Sequence, residues 1–153
     1  GVQVNNLDIN SWRSSLFFKK SINKINQLSL INYLDSTKSF TINNSSAILY
    51  DYEQNQVEIN KKAIENYIKI CSKLNCESYK KANKFNDYNK LLFELTIDTD
   101  TLKIYELNSN LLKYKEHNYN VKRMLGVLNN HQYMLIQSHV FNNVLINIDE
   151  FIK

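Results

Sequence analysis

Three histidines, two cysteines and a scatter of carboxylates are the residues of this 153-residue chain whose types could do chemistry. A metal or haem site needs histidines that converge with a carboxylate or thiolate. His131 and His139 flank or lie on one predicted strand, eight residues apart, which is too far along an extended chain for them to share a metal. Cys71 and Cys76, in the run CSKLNC, fit neither the CxxC redox spacing nor a four-ligand zinc set. A disulfide between them would break a helix, and Cys71 falls on an apolar helical face, so it reads as core packing. Asp98 and Asp100 flank a turn and Asp149-Glu150 lie near the end of the chain, where carboxylates hold backbone groups rather than do acid–base work. No nucleophile, zinc-protease, Walker or dinucleotide motif occurs. With Gly1 and Gly126 the only glycines, a glycine-rich phosphate loop is excluded. The sequence therefore predicts a non-enzymatic chain with no catalytic residue, no metal and no cofactor.

Two sets of residues could instead bind. The run KYKEHNYNVKR, residues 113–123, interleaves Lys113, Lys115, Lys122 and Arg123 with Tyr114 and Tyr119. Lys and Arg neutralise phosphates and Tyr stacks on bases, so this segment, with the similar YKKANKFNDYNK at 79–90, is the candidate nucleic-acid surface. The same texture also suits a solvated edge, where Lys discourages strand aggregation. A net charge of +4 and a pI of about 8.9 are mild for a nucleic-acid binder. Tyr occurs ten times. Tyr50, Tyr67, Tyr105 and Tyr133 could line a small cavity for a ligand, or simply pack the core.

Hydrophobic residues make up 43% and charged residues 22%, which suits one folded domain spanning 1–153. Abundant Asn, Lys, Ile and Tyr, two Gly and no Pro point to an AT-rich genome rather than to a prion-like tract, because the Asn residues are dispersed among periodic apolar positions. No apolar run approaches the ~18 residues of a membrane span. Gly1 in place of Met suggests a cleavage scar and a domain cut from a longer protein.

The elements that would position these residues follow from periodicity. Trp12, Leu16, Ile22, Ile25, Leu28 and Ile31 recur at mostly helical steps, which predicts a long N-terminal helix over about 8–34. The sheet-containing core would occupy about 39–150. Its first strand lies around Phe40–Ile42. Ala47–Tyr52 and Val57–Ile59 read as two short strands around a polar turn. Asn60 then caps a helix whose stripe is Ile64, Tyr67, Ile68, Cys71 and Leu74. Leu91–Asp98 alternates and returns as Thr101–Leu107 through Thr99-Asp100. Val121–Leu128, Gln132–Phe141 and Val144–Ile148 read as strands separated by Asn129-Asn130 and Asn142-Asn143, since Asn tolerates positive φ. Asp149–Lys153 reads as a last helical turn. The expected fold class is α+β: an antiparallel sheet of about five strands, helices packed on one face, and the long N-terminal helix.

The stretch from Ile48, Leu49, Tyr50 and Asp51 through Val57, Glu58 and Ile59 to Asn60, Ala63 and Ile64 resembles the start of a PAS domain. Met124-Leu125-Gly126-Val127 is similar to the apolar, Gly-containing strand late in that fold. The resemblance covers residues 46–128. Lys73-Leu74-Asn75 stand where the family often has a Gly, and two predicted strands lie beyond Leu128. It implies a sensory or interaction module that recognises a small ligand or partner protein and signals through the flanking helix, with a homodimer through that helix as one arrangement. The alternative function is a small nucleic-acid-binding domain.

Overall fold

The computed structural model describes residues 24–74, the backbone of 78–80, and residues 90–107 and 123–152. These form an antiparallel sheet of nine strands: β1 (Gln27–Asn32), β2 (Phe40–Asn43), β3 (Ile48–Tyr50), β4 (Gln56–Val57), β5 (Ser78–Lys80), β6 (Leu91–Ile97), β7 (Asp100–Glu106), β8 (Arg123–Leu128) and β9 (Gln132–Gln137). Their spatial order is β4-β3-β2-β1-β6-β7-β8-β9-β5. Two meanders therefore share one sheet, β1–β4 and β6–β9. They meet where β1 pairs with β6, with Leu28 opposite Ile97 and Leu30 opposite Leu95. The helix α1 (Lys61–Cys71) and a single short turn α2 (Ser138–Phe141) are the α-helices among the described residues.

The expected α+β fold, with about five strands, helices on one face and a long N-terminal helix, is corrected by this sheet-rich architecture. Residues 8–23 of the predicted helix, with Trp12, lie outside the described residues. Its end, Gln27–Asn32, is a strand in the middle of the sheet. In QLSLIN the residues Leu28, Leu30 and Asn32 alternate inward, and pairing on both sides supplies the backbone partners that a helix would have supplied internally. The predicted strand Gln132–Phe141 ends at Gln137 and continues as α2. Val144–Ile148 forms no strand; its apolar residues lie under the sheet as irregular chain leading into a 3-10 turn at Ile148–Phe151.

Other expectations agree with the structure. Leu91–Ile97 and Asp100–Glu106 form an antiparallel hairpin. The stripe Ile64, Tyr67, Ile68, Cys71 and Leu74 is buried, and the Asn60 side chain accepts from the amides of Lys62 and Ala63. Asn129 and Asn130 take φ of 51° and 65°, the two left-handed positions of a tight hairpin turn. Asn129 also stitches this turn to β7. Its Oδ1 accepts from the Thr101 amide at 2.8 Å and its Nδ2 donates to Asp100 Oδ1 at 3.1 Å. Asn129→Ala is thus expected to cost about 2–3 kcal/mol, from left-handed strain and lost hydrogen bonds, read as a lower urea midpoint.

The core lies on one face of the sheet. Leu28, Leu30, Phe40, Ile42, Leu49, Leu95, Ile97, Leu102, Ile104, Met134 and Ile136 meet α1 and the residues Phe141, Val144 and Phe151. Phe40, Tyr67 and Phe151 form an edge-to-face triangle with ring centroids 4.9–5.6 Å apart. The Tyr67 hydroxyl donates to the Val144 carbonyl at 2.7 Å, and the Asn60 amide donates to the Phe151 carbonyl at 3.1 Å. These two bonds clamp the C-terminal segment to α1.

Candidate functional site

The opposite face of the sheet is not uniform. Over β7–β9, Leu125, Val127 and Leu135 are buried together with Leu107, and Tyr105 and Tyr133 pack against them. Over β1 and β2 no described residue covers this face. Among the described residues it carries a cleft of about 340 Å³. Ser29 and Ile31 of β1 and Thr41 of β2 form the floor. They share a face because Ser29 pairs with Thr41 and because side chains alternate along a strand.

Two pinned connections form the walls. In the β1–β2 connection, the buried Asn32 accepts through Oδ1 from the amides of Leu34 and Asp35, at 2.9 and 3.1 Å. Ser39 Oγ accepts from the Asn32 amide at 2.9 Å, and Asp35 Oδ1 accepts from the amide and the hydroxyl of Thr37. The β3–β4 turn is organised by Asp51. Its Oδ1 accepts from the amides of Glu53 and Asn55, at 2.9 and 2.8 Å, while Gln54 takes a φ of 66°. Ser36 from the first wall and Asp51, Tyr52 and Gln54 from the second border the cleft.

Exposed apolar surface gathers at this place. Ile31, Tyr33, Leu34 and Tyr52 are 37%, 46%, 56% and 46% exposed, and all four belong to the cleft or to the connection beside it. Tyr33 lies towards β6, where its hydroxyl donates to Glu94 Oε1 at 3.1 Å. Burial first, and then that bond and the Glu94 charge, push its phenol above the usual range. The Tyr52 phenol is pushed up as well, chiefly by the charge of Glu53, with smaller contributions from burial, a Glu53 hydrogen bond, Asp51 and Asp35. Among the described residues, none lining the cleft is a Lys, Arg or His. Lys38, in the adjoining turn, is held at 2.7 Å by Asp149. A second hollow of about 250 Å³ lies between α1 and the C-terminal segment and includes Asn66, Ile70, Ile146 and Glu150. It lacks the cluster of exposed aromatic side chains.

The four tyrosines singled out in the sequence do not form one cavity. Tyr67 is in the core. Tyr105 and Tyr133 belong to the cluster on the far face. Tyr50 is half-buried on β3 opposite Thr41, and so stands beside the cleft floor. Of the basic segment, Lys113, Lys115, Tyr119 and Lys122 lie outside the described residues, as do most of 79–90 and His117. Arg123 opens β8, half-buried and already engaged by a partner group. The cleft residues were missed because they come from three separate stretches, 29–31, 36–41 and 51–54. The turn signals DSTKS and DYEQN mark its walls but not their convergence.

Of the candidate carboxylates, Asp98 serves the backbone, whereas Asp100 accepts from the Asn129 side chain and Asp149 pairs with Lys38. Asp98 Oδ1 accepts from the amides of Asn26 and Gln27, at 3.0 Å each. Among the described residues no three His, Cys, Asp or Glu side chains converge as metal ligands, and no helix is long and apolar enough to cross a membrane.

Cys71 is buried and free. Burial pushes its thiol up to about 12, a rise that the neighbouring Tyr67 hydroxyl partly offsets. Burial also pushes Tyr67 well above the usual phenol range. Because both groups hold their protons longer folded than unfolded, their contribution is complete below the thiol's ordinary value of 9.0 and is lost as pH rises towards about 12. Urea midpoints should fall across that alkaline window, and less steeply in Cys71→Ala. At pH 7 the thiol should react with an aromatic disulfide reagent only on unfolding.

Comparison of the chain with protein-family models, curated proteins and solved structures finds no match.

Proposed function

We propose that this chain is a non-enzymatic interaction module that recognises a partner protein through the cleft on β1 and β2. The observation that carries this reading is the exposure of Ile31 and Tyr52 in a cleft with pinned walls, with Tyr33 and Leu34 exposed in the connection that follows β1. Exposed aromatic side chains bury large area at low entropic cost when a partner docks, and contiguous exposed apolar surface marks interaction sites. The turns beside the cleft are held by Asn32, Asp35 and Asp51, so docking there requires little ordering. The hairpin–Asn–helix opening that resembles PAS sensory modules agrees with a recognition role. The carboxylates Asp98, Asp100 and Asp149 are occupied with structural bonds, which leaves them poor candidates for acid–base chemistry.

A backbone-amide NMR titration tests the reading. Tripeptides spanning acidic, basic, aromatic and aliphatic side chains are added separately. At least one class should move the amides of Ile31, Thr41, Tyr52 and Gln54 together. Shifts confined to the β7–β9 face, or none from any class, would refute the cleft as the recognition surface.

A further inference from the structure

The cleft combines three features that together select one kind of occupant. The first is the sign of its charge. The protein carries a net charge of +4, yet no described residue of the cleft lining is basic. Asp51 borders it, and Asp51, Glu53 and Asp35 all lie near enough to Tyr52 to act on its hydroxyl. Asp51 spends Oδ1 on its own turn, while Oδ2 makes no hydrogen bond among the described residues. The nearby cation, Lys38, hydrogen-bonds Asp149 and acts on Asp35, and does not line the cleft.

The second feature is aromatic. Tyr52 is 46% exposed beside these carboxylates. A Tyr ring face attracts a guanidinium or ammonium group, and nearby anions add to that attraction. The third is shape and polarity. The floor combines Ile31 with the hydroxyls of Ser29 and Thr41, which suits an aliphatic stem lying on apolar surface with its charged head at the rim. A volume of about 340 Å³ is at the small end of the ~300–1,000 Å³ usual for ligand pockets, right for one long side chain rather than a cofactor. Tyr33 and Leu34, 46% and 56% exposed, lie in the connection that follows β1.

Resting on the recognition reading above, we propose that the cleft captures a Lys or Arg side chain presented by a basic, extended segment of a partner protein. The stem lies over Ile31 and the cationic head sits between Tyr52 and the carboxylates of Asp51 and Glu53.

Fluorescein-labelled (Gly-Arg)4, (Gly-Glu)4 and (Gly-Leu)4 are titrated by anisotropy into the full chain, with amide shifts recorded alongside. The variants are Asp51→Asn/Glu53→Gln, which keeps the Oδ1 acceptor of the turn, and Tyr52→Ser. Thermal unfolding verifies that each stays folded. The expected result is binding of (Gly-Arg)4 that shifts the Ile31, Thr41 and Tyr52 amides and weakens with salt. It should be about three- to tenfold weaker in the double variant, as two exposed ion pairs imply, and about two- to fivefold weaker in Tyr52→Ser. Binding of (Gly-Arg)4 with unchanged affinity in both variants would overturn the proposal. Cleft shifts from (Gly-Leu)4 or (Gly-Glu)4 but not from (Gly-Arg)4 would overturn the basic occupant while leaving the recognition site in place. No cleft shift from any of the three would overturn both. If spermine displaces (Gly-Arg)4 at equal charge concentration, a free polyamine rather than a protein segment is the occupant, and the proposal falls.

Discussion

Replacing Phe40 by Ala should lower the free energy of unfolding by about 3–5 kcal/mol, the usual cost of deleting a buried aromatic ring. Phe40 sits on β2 at 2% exposure, with Tyr67 of α1 at 5.6 Å and Phe151 of the C-terminal turn at 4.9 Å. It is where sheet, helix and C-terminal segment meet. Its removal also strips an edge-to-face partner from both remaining rings, each contact contributing about 0.5–1.5 kcal/mol beyond area burial. Since a domain of this size has a total stability of about 5–15 kcal/mol, the variant should be near the limit of folding at room temperature. Phe40→Leu, which keeps most of the volume, should cost much less. Equilibrium denaturation measures both. A Phe40→Ala loss under about 1 kcal/mol would show that the triangle is not a structural junction.

The second large effect separates two neighbours. Leu30→Ala should cost about 2–5 kcal/mol, whereas Ile31→Ala should cost about 1 kcal/mol or less. Leu30 is fully buried between Phe40 and Leu95 on the paired strands, and Ile31 is 37% exposed on the cleft floor. A helix through this segment would reverse the order, because Ile31, not Leu30, continues the stripe of Ile25 and Leu28. The ratio of the two costs is therefore a direct reading of whether the segment is strand or helix.

That reversal shows where the sequence was legible. Leu91–Ile97 has no helical alternative: its large residues alternate with Glu94 and Thr96, and a second alternating run follows after one turn. Asn60 and Asn129-Asn130 are read correctly because their conformations, a helix cap and left-handed turn positions, are set by local chemistry. Gln27–Asn32 is ambiguous, since Leu28, Leu30 and Ile31 satisfy both periods and the spacing to Ile22 and Ile25 favours the helix. Its fate is decided by β6, over sixty residues away in sequence. Val144–Ile148 misleads for a similar reason. A short apolar run fits a strand, but here Tyr67 takes the Val144 carbonyl and Val144 fills the core as irregular chain. The cleft was illegible because it exists only once β1 lies beside β2 and the Asp51 turn folds alongside. Asp51 was visible as the acidic end of a strand. Its place on the border of a cleft with Tyr52 was not.

The central claim is that β1 is an interior strand with one face in the core and the other open as the floor of a recognition cleft. An isoleucine-methyl NMR spectrum of the full chain, recorded with and without a soluble gadolinium chelate, tests it directly. The account predicts strong relaxation of the Ile31 methyl and little effect on Ile42, Ile97 and Ile104, which are fully buried. An Ile31 methyl as protected as those three, or an Ile97 methyl as accessible as Ile31, would contradict it.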